Sequence, residues 1–241
     1  MAKLDKSQYT KEQWRKIKEA RRQEKAAAKL QQQQTVTPSV KEIHESFQPN
    51  TAFVLGNGVS RAPIDPEDLK KLGKVYGCNA LYRTFEADYL VAVDVKMILE
   101  INNVGYQHSH AVWTNPNRAY NGMHGFNFFQ PSKGWSSGPT ALHLASTHDT
   151  TDIYILGFDY KGLGERINNI YADTPNYKKK HDRATFHGNW LKQTIITTKN
   201  FPQKRYIRVL GESGFIPKEF SNISNLSHIS IEEFKKIFNF S

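Results

Sequence analysis

Cysteine is nearly absent from this 241-residue sequence. Cys78 is the only one, so the chain cannot form an internal disulfide. Long apolar runs are also missing, and no segment approaches the roughly 20 apolar residues that a membrane-spanning helix needs. No stretch combines a charged start with the apolar core of a signal peptide. These absences predict a cytoplasmic protein that is either soluble or peripheral on the inner face of the membrane.

Positive charge is concentrated near the start of the sequence. The chain has 33 Lys and Arg against 23 Asp and Glu, and residues 1–30 hold ten of the basic residues but only four of the acidic ones. This segment is rich in helix formers, and Thr10 and Gln13 have the spacing of a capping box. We therefore predict a basic helical arm, with a helix from about Lys11 to Gln33, and a Gln-, Thr- and Pro-containing linker that ends near residue 40.

Two hypotheses fit this basic arm. Its apolar residues Trp14, Ile17 and Leu30 are too few for a core-facing stripe, so one hypothesis is a solvated arm with no specific partner. The other is attraction to an anionic membrane surface or to nucleic acid, since each Lys or Arg near such a surface contributes about 1 kcal/mol.

Residues 41–241 are predicted to form one α/β domain. The predicted strands are 52–56, 74–79, 88–94, 111–115, 152–157 and 204–210, and the predicted helices are 66–72, 95–102, 139–148, 189–199 and 231–239. Strands that alternate with helices imply a mostly parallel sheet flanked by helices, which is a Rossmann-like fold. Ser230 and Glu233 predict a capping box at the start of the last helix.

Glycines and polar residues follow four of the predicted strands. They are Gly56-Asn57-Gly58 after the first strand, Asn79 after the second, Asp94 after the third and Gly157-Phe158-Asp159 after the fifth. Ligands of parallel sheets bind outside the carboxyl ends of the strands, so these residues are expected to meet in one crevice. Glycines permit close backbone approach, which would let amide N–H groups face a phosphate or a sugar.

Two common nucleotide motifs do not fit the first of these turns. Arg61 replaces the third glycine of G-x-G-x-x-G, Asn79 stands where NAD binders carry an acidic residue, and no Gly-Lys-Ser/Thr follows. Arg61 and the backbone amides can still hold phosphate charge. The turn thus favours a nucleotide other than a nicotinamide cofactor. No group of histidines has convincing ligand spacing, so we predict no metal site.

Six segments in order carry a resemblance to a known family. They are "VLGNGVSRAPIDPEDL", "VYGCNALY", "WSSGPTALHLA", "IYILGFDY", "NNIYADT" and "DRATFHGN". Over residues 52 to about 190 this chain resembles the bacterial family 42 sialyltransferases. The resemblance implies a variant of the GT-A fold and a homo-oligomeric, inverting glycosyltransferase. Such an enzyme binds a nucleotide-sugar donor, moves the sugar from CMP to a glycan or lipid-linked acceptor, and needs no cofactor.

The resemblance also implies roles for particular residues. The implied nucleotide-binding residues are Gly56, Asn57, Gly58, Ser60, Asn79, Asp94, Ser136, Ser137, Gly138 and Asp159. His187 is implied as the general base, and an imidazole of ordinary pKa suits that task at neutral pH. Tyr171, with Tyr160 or Lys161, is implied to assist the departing phosphate. The sequence departs from the family pattern at Val59, Asp94 and Lys161. The "YKKKHDR" run at 177–183 precedes His187 and would suit either a solvated loop or a lid over an anionic donor.

Two other functions remain open at this point. "EADYLVAVD" after a Gly-Asn-Gly-x-Ser turn is similar to the 6-hydroxymethylpterin pyrophosphokinase-like proteins, which include flagellin-glycosylation accessory factors. In that alternative Asp94 and Asp159 would hold Mg²⁺ and the phosphates of ATP. The third alternative is a non-catalytic module that binds a nucleotide or a glycan.

Overall fold

The computed structural model describes residues 50–240 of the chain. The predicted arm and linker lie outside the described residues. The described strands are β1 Ala52–Leu55, β2 Lys74–Cys78, β3 Tyr89–Val91, β4 Val112–Thr114, β5 Phe126–Phe128, β6 Asp152–Leu156, β7 Arg205–Leu210 and β8 Leu226–Ser230. The described α-helices are α1 Pro66–Lys70, α2 Val95–Val104, α3 Ser137–Thr147, α4 Gly188–Asn200 and α5 Ile231–Phe238. Each of these helices is too short or too polar to cross a bilayer.

All eight strands belong to one sheet, in the order β5-β4-β3-β2-β1-β6-β7-β8. Every neighbouring pair is parallel. From β1 the chain first builds outward toward β5, then returns to place β6 on the other side of β1. The predicted Rossmann-like α/β fold is therefore confirmed, with its topological switch point between β1 and β6.

The core lies on both faces of this sheet because side chains alternate along each strand. In β1, Phe53 belongs to a cluster that includes Ile98 of α2 and Phe234 of α5. Val54 belongs to the opposite cluster, which includes Leu142 of α3. Each of these five side chains is fully buried. The continuous burial of β1 explains why its short apolar run is visible in the sequence as a strand.

Two strands were missed in the sequence, and several boundaries were wrong. β5 has only three residues, Phe126–Phe128, and this length is too short for its alternation to predict a strand. β8, with the sequence LSHIS, alternates only weakly. Helix α3 begins at Ser137, two residues before its predicted start, and ends at Thr147. The predicted capping box of α5 is confirmed, since Ser230 Oγ accepts from Glu233 N–H at 3.1 Å and Glu233 Oε2 accepts from Ser230 N–H at 2.7 Å.

Two histidines, the buried His143 and the half-buried His228, lie beside aromatic rings. His143 in α3 lies edge-on between Trp135 and Phe201, with ring centroids 5.7 and 5.5 Å away. His228 in β8 lies 5.7 Å from Phe220 by the same measure. Burial disfavours the charged imidazolium and lowers the pKa of both His143 and His228 to about 4.

These histidines predict a loss of stability in mild acid. Between pH 6.5 and pH 4 the unfolded chain binds protons that the folded chain excludes, so the free energy of unfolding falls as the pH is lowered through this range. Replacing both residues (His143→Gln and His228→Gln) should reduce the fall by roughly 1–3 kcal/mol, measured by urea unfolding at pH 7 and pH 4.5. His124→Gln, at an exposed position, is the control. An unchanged pH dependence in the double variant would contradict the prediction.

Candidate functional site

A cleft of about 290 Å³ opens at the carboxyl ends of the central strands. It is lined by Gly56–Gly58 after β1, Cys78–Asn79 at the end of β2, Asp94 after β3, Ser136–Pro139 at the start of α3, Gly157–Lys161 after β6, and by Asn168, Asn169 and Trp190. The prediction that four polar strand ends meet in one crevice is therefore confirmed. Nine of the ten predicted nucleotide-binding residues line this cleft. The tenth, Ser60, lines a neighbouring cavity of about 670 Å³.

The glycines at the switch point allow two turns of the chain to pack against each other. A Cβ atom at Gly56 would lie 2.5 Å from the carbonyl oxygen of Gly157, and one at Gly157 would lie 2.7 Å from that of Gly56. Gly157 also has a positive φ of 70°. A Cβ at Gly58 would collide with the carboxylate of Asp159. These glycines are therefore needed for packing between the β1 and β6 turns, a role different from the predicted approach to a ligand.

The backbone amides of the β1 turn are mostly used within the protein. The donated bonds are Gly56 N–H to Leu156 O at 2.8 Å, Gly58 N–H to Gly157 O at 2.9 Å, Val59 N–H to Asn168 Oδ1 at 2.9 Å and Ser60 N–H to Asp159 Oδ2 at 3.2 Å. Within residues 56–60, only the Asn57 N–H has no acceptor among the described residues. The expectation that amides of this turn face a phosphate or a sugar is therefore wrong for all but that of Asn57.

Arg61 does not reach the cleft either. Its side chain is 6% exposed and lies beneath the β1 turn. Its Nε donates to Gly56 O at 2.6 Å, and its Nη2 donates to the hydroxyl of Tyr171 at 3.3 Å. The guanidinium braces the turn from below, so the expected direct contact with phosphate is not found.

The N-terminus of α3 offers the anion-attracting groups that the β1 turn lacks. Ser136 precedes the helix without capping it through its side chain. The N–H groups of Ser137 and Gly138 have no acceptor among the described residues, and Pro139 has no N–H to satisfy. Uncapped amides and the helix dipole together attract negative charge to such a terminus. All four of these residues line the cleft.

The side chain of Ser137 joins this helix to two strand ends. Its hydroxyl donates to Asn79 Oδ1 at 2.7 Å and accepts from Val93 N–H at 3.1 Å. Asn79 has a positive φ of 50°, which is uncommon for a residue other than glycine. The hydrogen bond holds Asn79 in this conformation, so the ends of β2, β3 and α3 are fixed relative to one another.

The two aspartates of the cleft differ in their partners. Asp159 accepts hydrogen bonds from both the N–H and the hydroxyl of Ser60, so its carboxylate braces the β1 turn. Asp94 precedes α2 but makes no capping bond, and it is exposed. Cys78 is buried, and desolvation raises the pKa of its thiol to about 12, so it is no nucleophile at neutral pH. Within residues 50–240, no cluster of three or more His, Cys, Asp or Glu is arranged to hold a metal ion.

The residues implied for leaving-group assistance occupy three different surroundings. Tyr160 is 3% exposed, its hydroxyl donates to Thr194 Oγ1 at 2.7 Å, and burial raises its pKa. The Tyr171 hydroxyl lies 3.2 Å from Thr84 Oγ1, and Tyr171 does not line the cleft. Lys161 does line it, although its ammonium lies 5.2 Å from the centre of the Phe215 ring. Of the three, Lys161 is the only cation at the cleft wall.

The surroundings of His187, the implied general base, are set by the start of α4. His187 is the residue that precedes α4, it is half-buried, and its ring lies 6.0 Å from that of the exposed Phe186. It is not among the lining residues, but Trp190 is. His187 thus precedes a residue of the cleft wall by three positions in the chain.

The long segment between β6 and α4 is attached to the β1 turn by bonds that the sequence did not indicate. Ile170 N–H donates to Asn57 O at 2.9 Å. The Tyr177 hydroxyl accepts from Asn57 Nδ2 at 3.1 Å and from Ala80 N–H at 3.3 Å. Asn57 Oδ1 is left buried without a partner. Asn168 was also missed, since an asparagine in a polar loop carries no signal of its tertiary partner.

No protein-family model, curated protein or solved structure matches this chain. What the site does must follow from its own residues.

The packing at the switch point predicts a steric effect of one methyl group. Gly56→Ala should lower the free energy of unfolding by about 1–3 kcal/mol, because the new Cβ meets the Gly157 carbonyl. Gly138→Ala is the matched control, since its Cβ would lie 3.3 Å from Phe158 Cζ, where a small shift of the ring relieves the contact. Urea unfolding measures both. Equal losses in the two variants would show that the close contact of the β1 and β6 turns is not the cause.

Proposed function

We propose that the cleft binds a nucleotide sugar through its phosphate. We further propose that the protein is a glycosyltransferase that moves a sugar from a CMP-activated donor to an acceptor hydroxyl. The observation that carries this proposal is the uncapped N-terminus of α3, which opens into the switch-point cleft beside the side chains of Asn79 and Lys161. A phosphate at this position would accept hydrogen bonds from the N–H groups of Ser137 and Gly138. It would also be stabilised by the positive end of the helix dipole.

The proposed reaction is a single displacement. The acceptor oxygen attacks the anomeric carbon while the bond from that carbon to the phosphate oxygen breaks, and the electron pair leaves with the phosphate. His187, three residues before the cleft residue Trp190, takes the acceptor proton. The α3 amides and the Lys161 ammonium stabilise the charge that grows on the leaving phosphate. The hydroxyls of Tyr160 and Tyr171 are left out of this scheme because they are bonded to Thr194, Arg61 and Thr84.

Asp94 supports a second candidate function. Its exposed carboxylate lines the cleft without a capping partner, which suits a divalent cation that bridges the phosphates of ATP. The second carboxylate of this alternative, Asp159, is already engaged by the backbone and side chain of Ser60. A pyrophosphokinase-like, Mg-ATP-dependent reaction would therefore depend mainly on Asp94.

Nucleotide binding can be tested by thermal shift with CMP, CDP, UDP, GDP and ATP, each with and without Mg²⁺. A ligand that binds only the folded state raises the melting temperature, and we expect CMP to do so without metal. Stabilisation by ATP only in the presence of Mg²⁺ would favour the pyrophosphokinase-like alternative. No shift with any nucleotide would leave a binding module for another ligand, such as a glycan.

The role of the α3 terminus can be separated from shape by a matched pair of substitutions. Gly138→Asp places a carboxylate beside the helix N-terminus, whereas Gly138→Asn adds a side chain of nearly the same size without charge. We expect the Asp variant to bind CMP about tenfold more weakly than the Asn variant, because a carboxylate competes with phosphate for this terminus. Equal affinities by calorimetry would remove phosphate binding from the helix.

His187 should affect turnover without affecting nucleotide binding. His187→Ala is expected to lower the rate of CMP release from a CMP-sugar by about 10²-fold or more, while the thermal shift with CMP stays unchanged. His181→Ala, in the exposed part of the same loop, is the control. Full turnover in the His187 variant would remove the assignment of the base.

A further inference from the structure

Three exposed apolar side chains lie on the segment between β6 and α4 and in the first turn of α4. Leu163 is 53% exposed, Phe186 is 76% exposed and Trp190 is 36% exposed. They are three of the seven large apolar side chains that are exposed in the described residues. Trp190 also lines the cleft. Such a concentration is unusual for a surface that meets only water.

Backbone hydrogen bonds bring the two ends of this segment together. Ala184 N–H donates to Glu165 O at 2.8 Å across the segment, and the local bond from Leu163 N–H to Arg166 O, at 3.0 Å, closes a turn at its first end. Arg166 and Arg183 form an antiparallel bridge. The stretch that carries Leu163 therefore runs beside the stretch that leads to Phe186.

The same segment carries most of the net positive charge of the described residues. Residues 50–240 contain 22 basic and 17 acidic residues, and residues 161–192 contain seven of the basic but only three of the acidic ones. The net charge of this stretch is thus +4 out of +5. Lys178, Lys179, Lys180 and Arg183 are all exposed.

Two acidic residues of this loop bond to its backbone. Asp182 Oδ2 accepts from Lys179 N–H at 2.8 Å, and Asp173 Oδ1 accepts from Lys180 N–H at 3.1 Å. The Lys180 ammonium lies 3.9 Å from Asp173, which is a long ion pair. Among the described residues, no carboxylate lies within ion-pair distance of the Lys178 or Lys179 ammonium.

We propose that this surface, the mouth patch of Leu163, Phe186, Trp190, Lys178–Lys180 and Arg183, docks on an anionic lipid bilayer. Cations are attracted to acidic headgroups, and aromatic rings partition into the boundary between headgroups and acyl chains. Both kinds of side chain occur together here. A bilayer uses both at once and requires no pocket of defined shape.

Docking in this way would turn the cleft toward the lipid surface, because Trp190 belongs to both the cleft wall and the mouth patch. If the proposed transfer reaction holds, its acceptor is then a hydroxyl group carried on a lipid. The docking itself does not depend on that reaction, so a failure of either proposal can be recognised without the other.

The test is co-sedimentation of the full chain with phosphatidylcholine vesicles, with and without phosphatidylglycerol. We expect binding only to the anionic vesicles. Replacing Lys178, Lys179 and Lys180 by Gln should weaken this binding by at least about tenfold, since each cation contributes to attraction. Phe186→Ser should weaken it by about tenfold through lost apolar contact. The fluorescence emission of Trp190 should shift to shorter wavelength on binding, and the shift should disappear in Trp190→Phe.

Matched controls separate the contribution of the mouth patch to vesicle binding from that of overall charge. Every variant keeps residues 1–49, so their contribution is the same in all of them. Replacing Lys96, Lys199 and Lys218 by Gln removes the same charge from exposed positions elsewhere, and Val104→Ser removes an exposed apolar side chain of α2. Equal loss of binding in the two triple variants would overturn the proposal. It would also be overturned if the mouth-patch variants lost binding to a single-stranded oligonucleotide but kept binding to vesicles. Unchanged melting temperatures confirm that the variants are folded.

Discussion

The close contact between Gly56 and Gly157 is the constraint on which the site depends. The two residues follow adjacent central strands, and each occupies the space that a side chain on the other would need. This packing brings the turn after β1 against the turn after β6. Arg61 fixes the arrangement from below through the Gly56 carbonyl, and Asp159 fixes it through Ser60. The charged side chains of Arg61 and Asp159 thus hold the two turns that form the floor of the cleft.

This packing also limits how many N–H groups the β1 turn has free for a ligand. The N–H groups of this turn mostly donate to neighbouring residues, so few are left for a ligand. Its glycine-rich sequence had suggested that they would be free. The start of α3 is complementary, because the chain satisfies the side chain of Ser137 but leaves the first amides of the helix unpaired. The start of α3 thus has two unpaired backbone N–H groups at the cleft, whereas the turn of residues 56–60 has one. The phosphate is therefore proposed to bind at the start of α3 and not at the packed turns after β1 and β6.

The sequence predicted those strands whose apolar pattern along the chain matches their burial in the folded protein. β1 and β6 are short, continuous apolar runs because they are buried on both faces, and their polar ends meet because parallel strands end at the same edge. The edge strand β5 carries no such pattern. The surroundings of Tyr171 and His187 were not predictable for another reason. Both lie on the segment between β6 and α4, whose path is set by bonds to distant residues, such as that from Ile170 N–H to Asn57 O. Such bonds leave no periodicity in a sequence.

That segment joins the interior of the site to the surface of the protein. Its first half is held down, since Asn168 and Ile170 bond to the β1 turn and the Tyr177 hydroxyl bonds to Asn57. Its second half, from residue 178 onward, is mostly exposed and carries the lysines and Phe186 before the chain enters α4. In the proposed docking, a bilayer contact made by this second half must leave the shape of the cleft unchanged. The anchored first half meets that requirement, because a contact made by the second half is separated from the cleft floor by residues that are already fixed.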